Sequence, residues 1–267
     1  MSSLATSTRV PVRLSPIHGL QELMWSVWLE GARRKEFYAF FILAFVFILV
    51  ALAVRMVGVE QASTGTFVLN LGLSYCSYAA HAMVLVLAAR MVPAEIENRT
   101  IYPILAKPVS RFTYILGKWG ATALFGCAAF LALFVFVWLA CPKLEEYSAP
   151  LLLQLILLQF ISLFALSGLS ILFSLVFPAA IALITGGLIY FLGSNIIGLL
   201  AVKFTGGIFP WLIHYIPNFS LLNLTTRYTD GIEPLSLMQF GALGLYGLML
   251  IVITFGLSAW AFEKRPL

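Results

Sequence analysis

From Pro150 to Val202 the chain carries no charged side chain. That stretch is about twice the ~20 residues an α-helix needs to cross a hydrocarbon core of ~30 Å at ~1.5 Å per residue. It predicts a pair of membrane-spanning helices, with Pro178 near its middle as the helix breaker and a very short turn between them. Similar apolar runs recur along the chain. Of its 267 residues 61% are hydrophobic and only 10% charged, whereas a soluble domain carries about 25% charge. These proportions exclude a soluble globular protein. What lies outside the runs is too little for a separate soluble domain of ordinary size, so any soluble catalytic domain belongs to another chain.

The runs place six transmembrane helices at Phe37–Val57, Phe67–Val92, Trp119–Ala140, Pro150–Phe177, Pro178–Val202 and Leu237–Phe262. The predicted fold is an all-α polytopic membrane protein: a tail and interfacial helix over 1–36, then one transmembrane domain over 37–267. Ile17, Leu20, Met24, Val27 and Trp28 recur at helical spacing opposite Glu22, Ser26, Glu30 and Arg33, the pattern of a helix lying in the membrane interface. Its interface residues are Trp25, Trp28, Arg33 and Arg34, and the Arg33, Arg34, Lys35 cluster meets anionic headgroups. Met1 to Pro16 lacks the apolar core of a cleaved signal peptide, and none is expected. Placing the N-terminus inside puts twelve of the 16 basic residues on the cytoplasmic side and leaves Arg55, Lys143, Lys203 and Arg227 outside, a positive-inside pattern. Both termini are then cytoplasmic, with a loop over 93–118 inside and a loop over 203–236 outside. The membrane accounts for the net charge of +5, and no nucleic-acid partner is expected.

Several chemistries are disfavoured. Cys76, Cys127 and Cys141 are odd in number and lack CxxC spacing, so they read as packing residues rather than a disulfide or metal set. No Asp or Glu lies inside a predicted span, which argues against proton- or sodium-coupled carriage. Neither GxSG nor HExxH occurs; in Ser167-Gly168-Leu169-Ser170, Ile171 stands where the second glycine of GxSG would be needed. The Gly117-Lys118 pair has Phe112 in place of the glycine a phosphate-binding loop requires, so the chain does not itself bind ATP in a Walker site.

The inner loop reads PAEIENRTIYPILAKPVSRFTYILGK and gathers two acids and four bases. Glu97, Thr100, the apolar stretch to Leu105, the Pro108-Val109-Ser110-Arg111 step and Gly117-Lys118 resemble the membrane subunits of type-2 ATP-binding-cassette exporters. Within these they resemble the group containing the nitrous-oxide-reductase maturation and gliding-motility permeases. Tyr215 to Thr225, YIPNFSLLNLT, is similar to that group's outer loop. Arg99 departs from the pattern, because many members carry glycine before the threonine. The resemblance implies that Glu97, Arg99, Thr100, Lys107, Pro108, Arg111 and Lys118 couple the chain to a cytoplasmic ATPase. Internal pairing of Glu97 with Arg111 or Lys118 is an alternative reading of the same charges.

Asn70, Ser74, Ser77, Tyr78 and His81 share one face of the second span. Hydrogen bonding between helices is one reading. The other, carried by the resemblance, is that this face lines a translocation path with Thr185, Ser194 and Asn195 of the fifth span. Gly186, Gly187, Gly193 and Gly198 allow close helix approach there. The outer loop is too broken by Pro210, Pro217 and Pro234 for another span. The resemblance implies a re-entrant external gate with Trp211, His214, Tyr215 and Phe219, near Arg227; an amphipathic loop on the lipid surface is the competing reading.

The expected protein is a permease of a bacterial cytoplasmic membrane, itself no enzyme, exporting a substrate with energy from a separate ATPase. ATP and Mg are bound by that partner, in two copies; a second permease chain, identical or similar, membrane lipid and a periplasmic accessory protein complete the expected partners. The rival is a non-transporting anchor that passes ATPase strokes to an extracytoplasmic machine. A membrane enzyme working without any ATPase is a third reading.

Overall fold

A computed structural model describes residues 16–56, 62–99, 110–140, 148–197 and 216–265. Helix α1 (Pro16–Arg33) turns at Arg34 into α2 (Lys35–Met56), followed by α3 (Ala62–Glu97) and α4 (Arg111–Ala140). Next come α5 (Ala149–Val176) and α6 (Ala179–Phe191), which runs on into a π-helical turn at Leu192–Ile196. A 3-10 turn (Phe219–Leu222), the short α7 (Thr225–Thr229) and α8 (Leu237–Glu263) complete the described chain. Among the described residues there is no strand. Five helices are long and apolar enough to cross a membrane: α3, α4, α5, α6 with its π turn, and α8. Helix α2 contributes a shorter apolar stretch, Phe37–Phe47, where the first predicted span lies. The chain is a polytopic all-helical membrane protein.

The turn between α5 and α6 forms where proline demands it. Phe177 is extended (φ −116°, ψ 156°) and Pro178 (φ −57°, ψ 154°) caps α6, so only these two residues connect the helices. Other boundaries differ from the sequence reading. Helix α3 passes through Pro93 to Glu97, and α4 begins at Arg111 rather than Trp119 because the Ser110 hydroxyl accepts from the Thr113 amide at 3.1 Å, a side-chain cap. The predicted inner loop is therefore helical at both ends. Helix α3 is about 54 Å long at ~1.5 Å per residue, well beyond one membrane crossing. Two residues past its end, Arg99 has a φ of 57°, the left-handed conformation that usually closes a helix on glycine.

Helix α5 is the centre, packed against α3, α4, α6 and α8. Its serines and Gly168 let α8 approach closely: a Cβ on Gly168 would lie 2.6 Å from Thr254 Oγ1 and 3.2 Å from the Phe255 amide nitrogen. The Ser258 hydroxyl uses this proximity to donate to the Gly168 carbonyl at 2.9 Å. Apart from such points α8 is largely exposed and apolar, as a helix facing lipid must be. Helix α1, expected in the interface, has a packing partner within the chain. It lies on α4 through Leu23, Val27 and Gly31, with Trp28 edge-on to Phe125 at 5.9 Å, while Trp25 is exposed. Leu23 and Gly31 were absent from the predicted apolar face. Arg33 is exposed, and Arg34 pairs with Glu30 at 2.5 Å. Cys76 and Cys127 are buried free thiols; Cys141 lies outside the described residues.

Candidate functional site

At the end of the bundle where α3 meets α4, Lys118 is buried and its ammonium donates to the Glu95 carboxylate, which also accepts from the Tyr114 hydroxyl. Tyr114 stacks on Phe262 of α8 at 5.3 Å. The partner of Lys118 is thus Glu95, not Glu97 as the pairing alternative had it. Two residues along a helix rotate a side chain by about 200°, so Glu95 faces α4 while Glu97 is exposed. Arg111 does not pair with Glu97 either. Its guanidinium donates to the carbonyls of Glu263 and Arg265, both at 3.0 Å, and Arg265 donates to the Leu175 carbonyl at 2.8 Å. Cations at helix C-termini satisfy otherwise orphaned carbonyls; here they tie the ends of α4, α5 and α8 together. Glu97 and Arg99 remain exposed at the tip. Thr100, Lys107 and Pro108 lie outside the described residues.

The polar stripe of α3 divides between neighbours. Ser77 and His81 are buried. The His81 Nδ1–H faces the Ser77 carbonyl at 2.8 Å and so donates, leaving Nε2 to accept from the Ser162 hydroxyl at 2.8 Å. Gln159 of α5 donates to Ser77 Oγ at 2.8 Å, and the imidazole stacks on Tyr190 of α6 at 4.4 Å. These bonds join α3, α5 and α6 inside one chain. Gln159 and Ser162 were not singled out from sequence; a buried amide and hydroxyl in an uncharged span were the available signal. Tyr78 is exposed and donates to Asn195 at 2.7 Å across to the π turn. Asn195 in turn donates to Ser194 at 2.7 Å, and Thr185 is half-buried on α6. Toward the opposite end, Asn70 donates to the Thr229 hydroxyl of α7 at 2.9 Å, and Ser74 donates to Asn70 at 3.2 Å.

Asn218 and Phe219 lie at that opposite end. The Asn218 side chain accepts from the Ser220 amide and caps the 3-10 turn, while its own amide donates to the Tyr246 hydroxyl at 2.8 Å. Phe219 is buried with its ring 5.4 Å from Tyr190. The π turn meets this segment closely, since a Cβ on Gly193 would lie 2.2 Å from the Pro217 carbonyl oxygen. Arg227 donates twice to the Glu233 carbonyl. Gln154 of α5 holds Leu235 in both directions, donating to its carbonyl at 3.0 Å and accepting from its amide at 2.9 Å. Trp211, His214 and Tyr215 lie outside the described residues.

A helical membrane bundle whose first helix packs on α4, with an α3 longer than one crossing needs and a charged tip where α3 and α4 meet, is the architecture in hand. Residues 28–267 match the model of the ABC-2 family transporter proteins, and the chain belongs to that family. No curated protein matches it. The match covers every spanning helix, so the family assignment applies to the whole bundle.

Proposed function

We propose that the chain is the membrane-spanning permease subunit of an exporter, driven by a separate cytoplasmic ATPase that binds ATP and Mg. The observation that carries this reading is the end formed by α3 and α4. There the helices extend beyond a single crossing, are locked by Glu95, Lys118 and Tyr114 and fastened through Arg111, while Glu97 and Arg99 are left exposed. A push on such a tip moves whole helices rather than a soft loop. Lys118 and Arg111 act in this scheme as braces, and Glu97 and Arg99 as the contact surface, together with Thr100, Lys107 and Pro108. In this reading the chain sits in a bacterial inner membrane with both termini and this end inside and the Phe219 end outside, an orientation the excess of basic residues supports. Two permease chains and two ATPase copies form the assembly. The face bearing Tyr78, Ser194 and Asn195 lines the path between the permeases, and the segment around Phe219 gates its exit.

The test is to extract the tagged chain from its native membrane in mild detergent and measure co-purifying subunits. A Walker-motif ATPase at about one copy per chain is the expected result, and Glu97→Ala should lower coupled ATP turnover without changing insertion. Recovery of no ATPase, under conditions that keep other complexes together, would sink the proposal. An ATPase that turns over with a periplasmic partner but moves no cargo would put the anchor reading in its place.

A further inference from the structure

Only Phe177 and Pro178 connect α5 to α6, so whatever holds the last turn of α5 also sets how α6 departs from it. One side chain does this from outside the helix pair. The guanidinium of Arg265, two residues past the end of α8, donates to the Leu175 carbonyl at 2.8 Å. Its own carbonyl accepts from Arg111, the first residue of α4, at 3.0 Å. Arg265 therefore meets α4 with its main chain and α5 with its side chain. Both donors are charged, which makes these bonds stronger than neutral ones, and both acceptors are backbone carbonyls, so the grip is on the chain itself. Beside them Tyr114 and Ile115 of α4, Ile171 and Leu175 of α5 and Phe262 of α8 belong to one buried cluster, which keeps the three helix ends together.

Helix α6 leaves Ile181, Ile184 and Leu188 exposed and packs its other side on α3 and α5. There Gly186 abuts α3 so closely that a Cβ on it would lie 3.1 Å from Leu85 Cδ2, and Tyr190 stacks on His81 at 4.4 Å. A shift of Leu175 passes through Phe177 and Pro178 to the first turn of α6, and changes how that helix fits against Leu85. Satisfying an orphaned carbonyl at the end of α5 would take only a water or a local cap. Joining that carbonyl to the start of α4 takes a residue bonded to both, and Arg265 is bonded to both. We propose that Arg265 is a positioning residue, which seats α6 against α3 and passes movement of the α3–α4 end on to α6. The passing of movement rests on the permease reading above; the seating of α6 does not.

The test uses the full chain in maltoside micelles, carrying Cys76→Ala, Cys141→Ala and Leu85→Cys and keeping Cys127 of α4 as a reference. Leu85 and Cys127 are both buried, the first against Gly186 of α6, the second in a cluster that among the described residues includes none from α6. Modification by methyl methanethiosulfonate is followed at each thiol by mass spectrometry. Arg265→Ala should raise the rate at position 85 about tenfold, the worth of one charged hydrogen bond, and leave Cys127 as it was. Arg265→Lys should keep most of the protection. Arg111→Ala should act like Arg265→Ala, and combining the two should add little, because their bonds lie in series. An unaltered rate at position 85 overturns the proposal. So does equal acceleration at Cys127, which marks general loosening, or a double variant with multiplied effects, which marks two independent caps. In vesicles containing the ATPase, ATP should change the rate at position 85 in the parent and not in Arg265→Ala. ATP turnover with no such change in the parent removes the transmitting role and leaves the seating. If no ATPase associates, the permease reading falls, and the transmitting role with it, while the micelle result stands.

Discussion

Lys118 shows why a charge in this chain has to be placed before it is interpreted. The sequence offers Glu95 and Glu97 two positions apart, and the resemblance draws attention to Glu97; helical rotation gives the buried lysine to Glu95. The pair lies under Tyr114 and Phe262, where removing one partner strands the other in a poor solvent for ions. Lys118→Met should therefore cost roughly 3 kcal/mol of stability, read as a lower melting midpoint in detergent, and Glu95→Gln combined with it should recover most of the loss. A double variant no more stable than the single would show that Lys118 matters for something other than this pair. His81 carries the same lesson. Its periodicity with Ser77 was legible, but its partner Ser162 lies 81 residues away, and no pattern within one segment identifies which face of another helix it meets.

Helices were legible where apolarity or proline defined them. The turn at Phe177 and Pro178 matched because proline has no amide to continue α5 and fixes φ for the start of α6. The inner ends of α3 and α4 were not, since a helix running on into water looks like a polar loop once apolar periodicity stops. The signals that remained were local: Ser110 as a cap and Arg99 as a left-handed terminator. Arg99 holds a φ of 57°, a conformation glycine would adopt without the strain a side chain brings. Contact between α5 and α8 depends instead on a missing side chain. Gly168→Leu should push α8 off α5 and lower stability by about 1–3 kcal/mol, whereas Gly256→Leu, with no atom within 4 Å of its Cβ position, should leave the melting midpoint nearly unchanged. Equal losses in the two variants would contradict the packing described for this helix pair.

The bundle as a whole has two chemically distinct ends, and the proposed function puts the Arg111 end inside the cell. In a background without cysteine, Ser110→Cys and Asp230→Cys place thiols at exposed positions on opposite ends. An impermeant maleimide should label Asp230→Cys in intact spheroplasts and Ser110→Cys only after permeabilisation; the reverse pattern would invert the orientation and move the ATPase contact elsewhere. The two-residue link at Phe177 and Pro178 also restricts how the molecule can change shape. Because α5 is held on several sides and α6 is leashed to it at one end only among the described residues, α6 cannot slide along the membrane normal without dragging its neighbour. What the link leaves is a swing, like a door leaf on a floor pivot, held shut by the His81–Tyr190 stack and the Tyr78–Asn195 bond. From Ala179 to Asn195 is about 24 Å of helix, so a tilt of about 10° displaces the Tyr78–Asn195 latch by about 4 Å while hardly disturbing the Pro178 end.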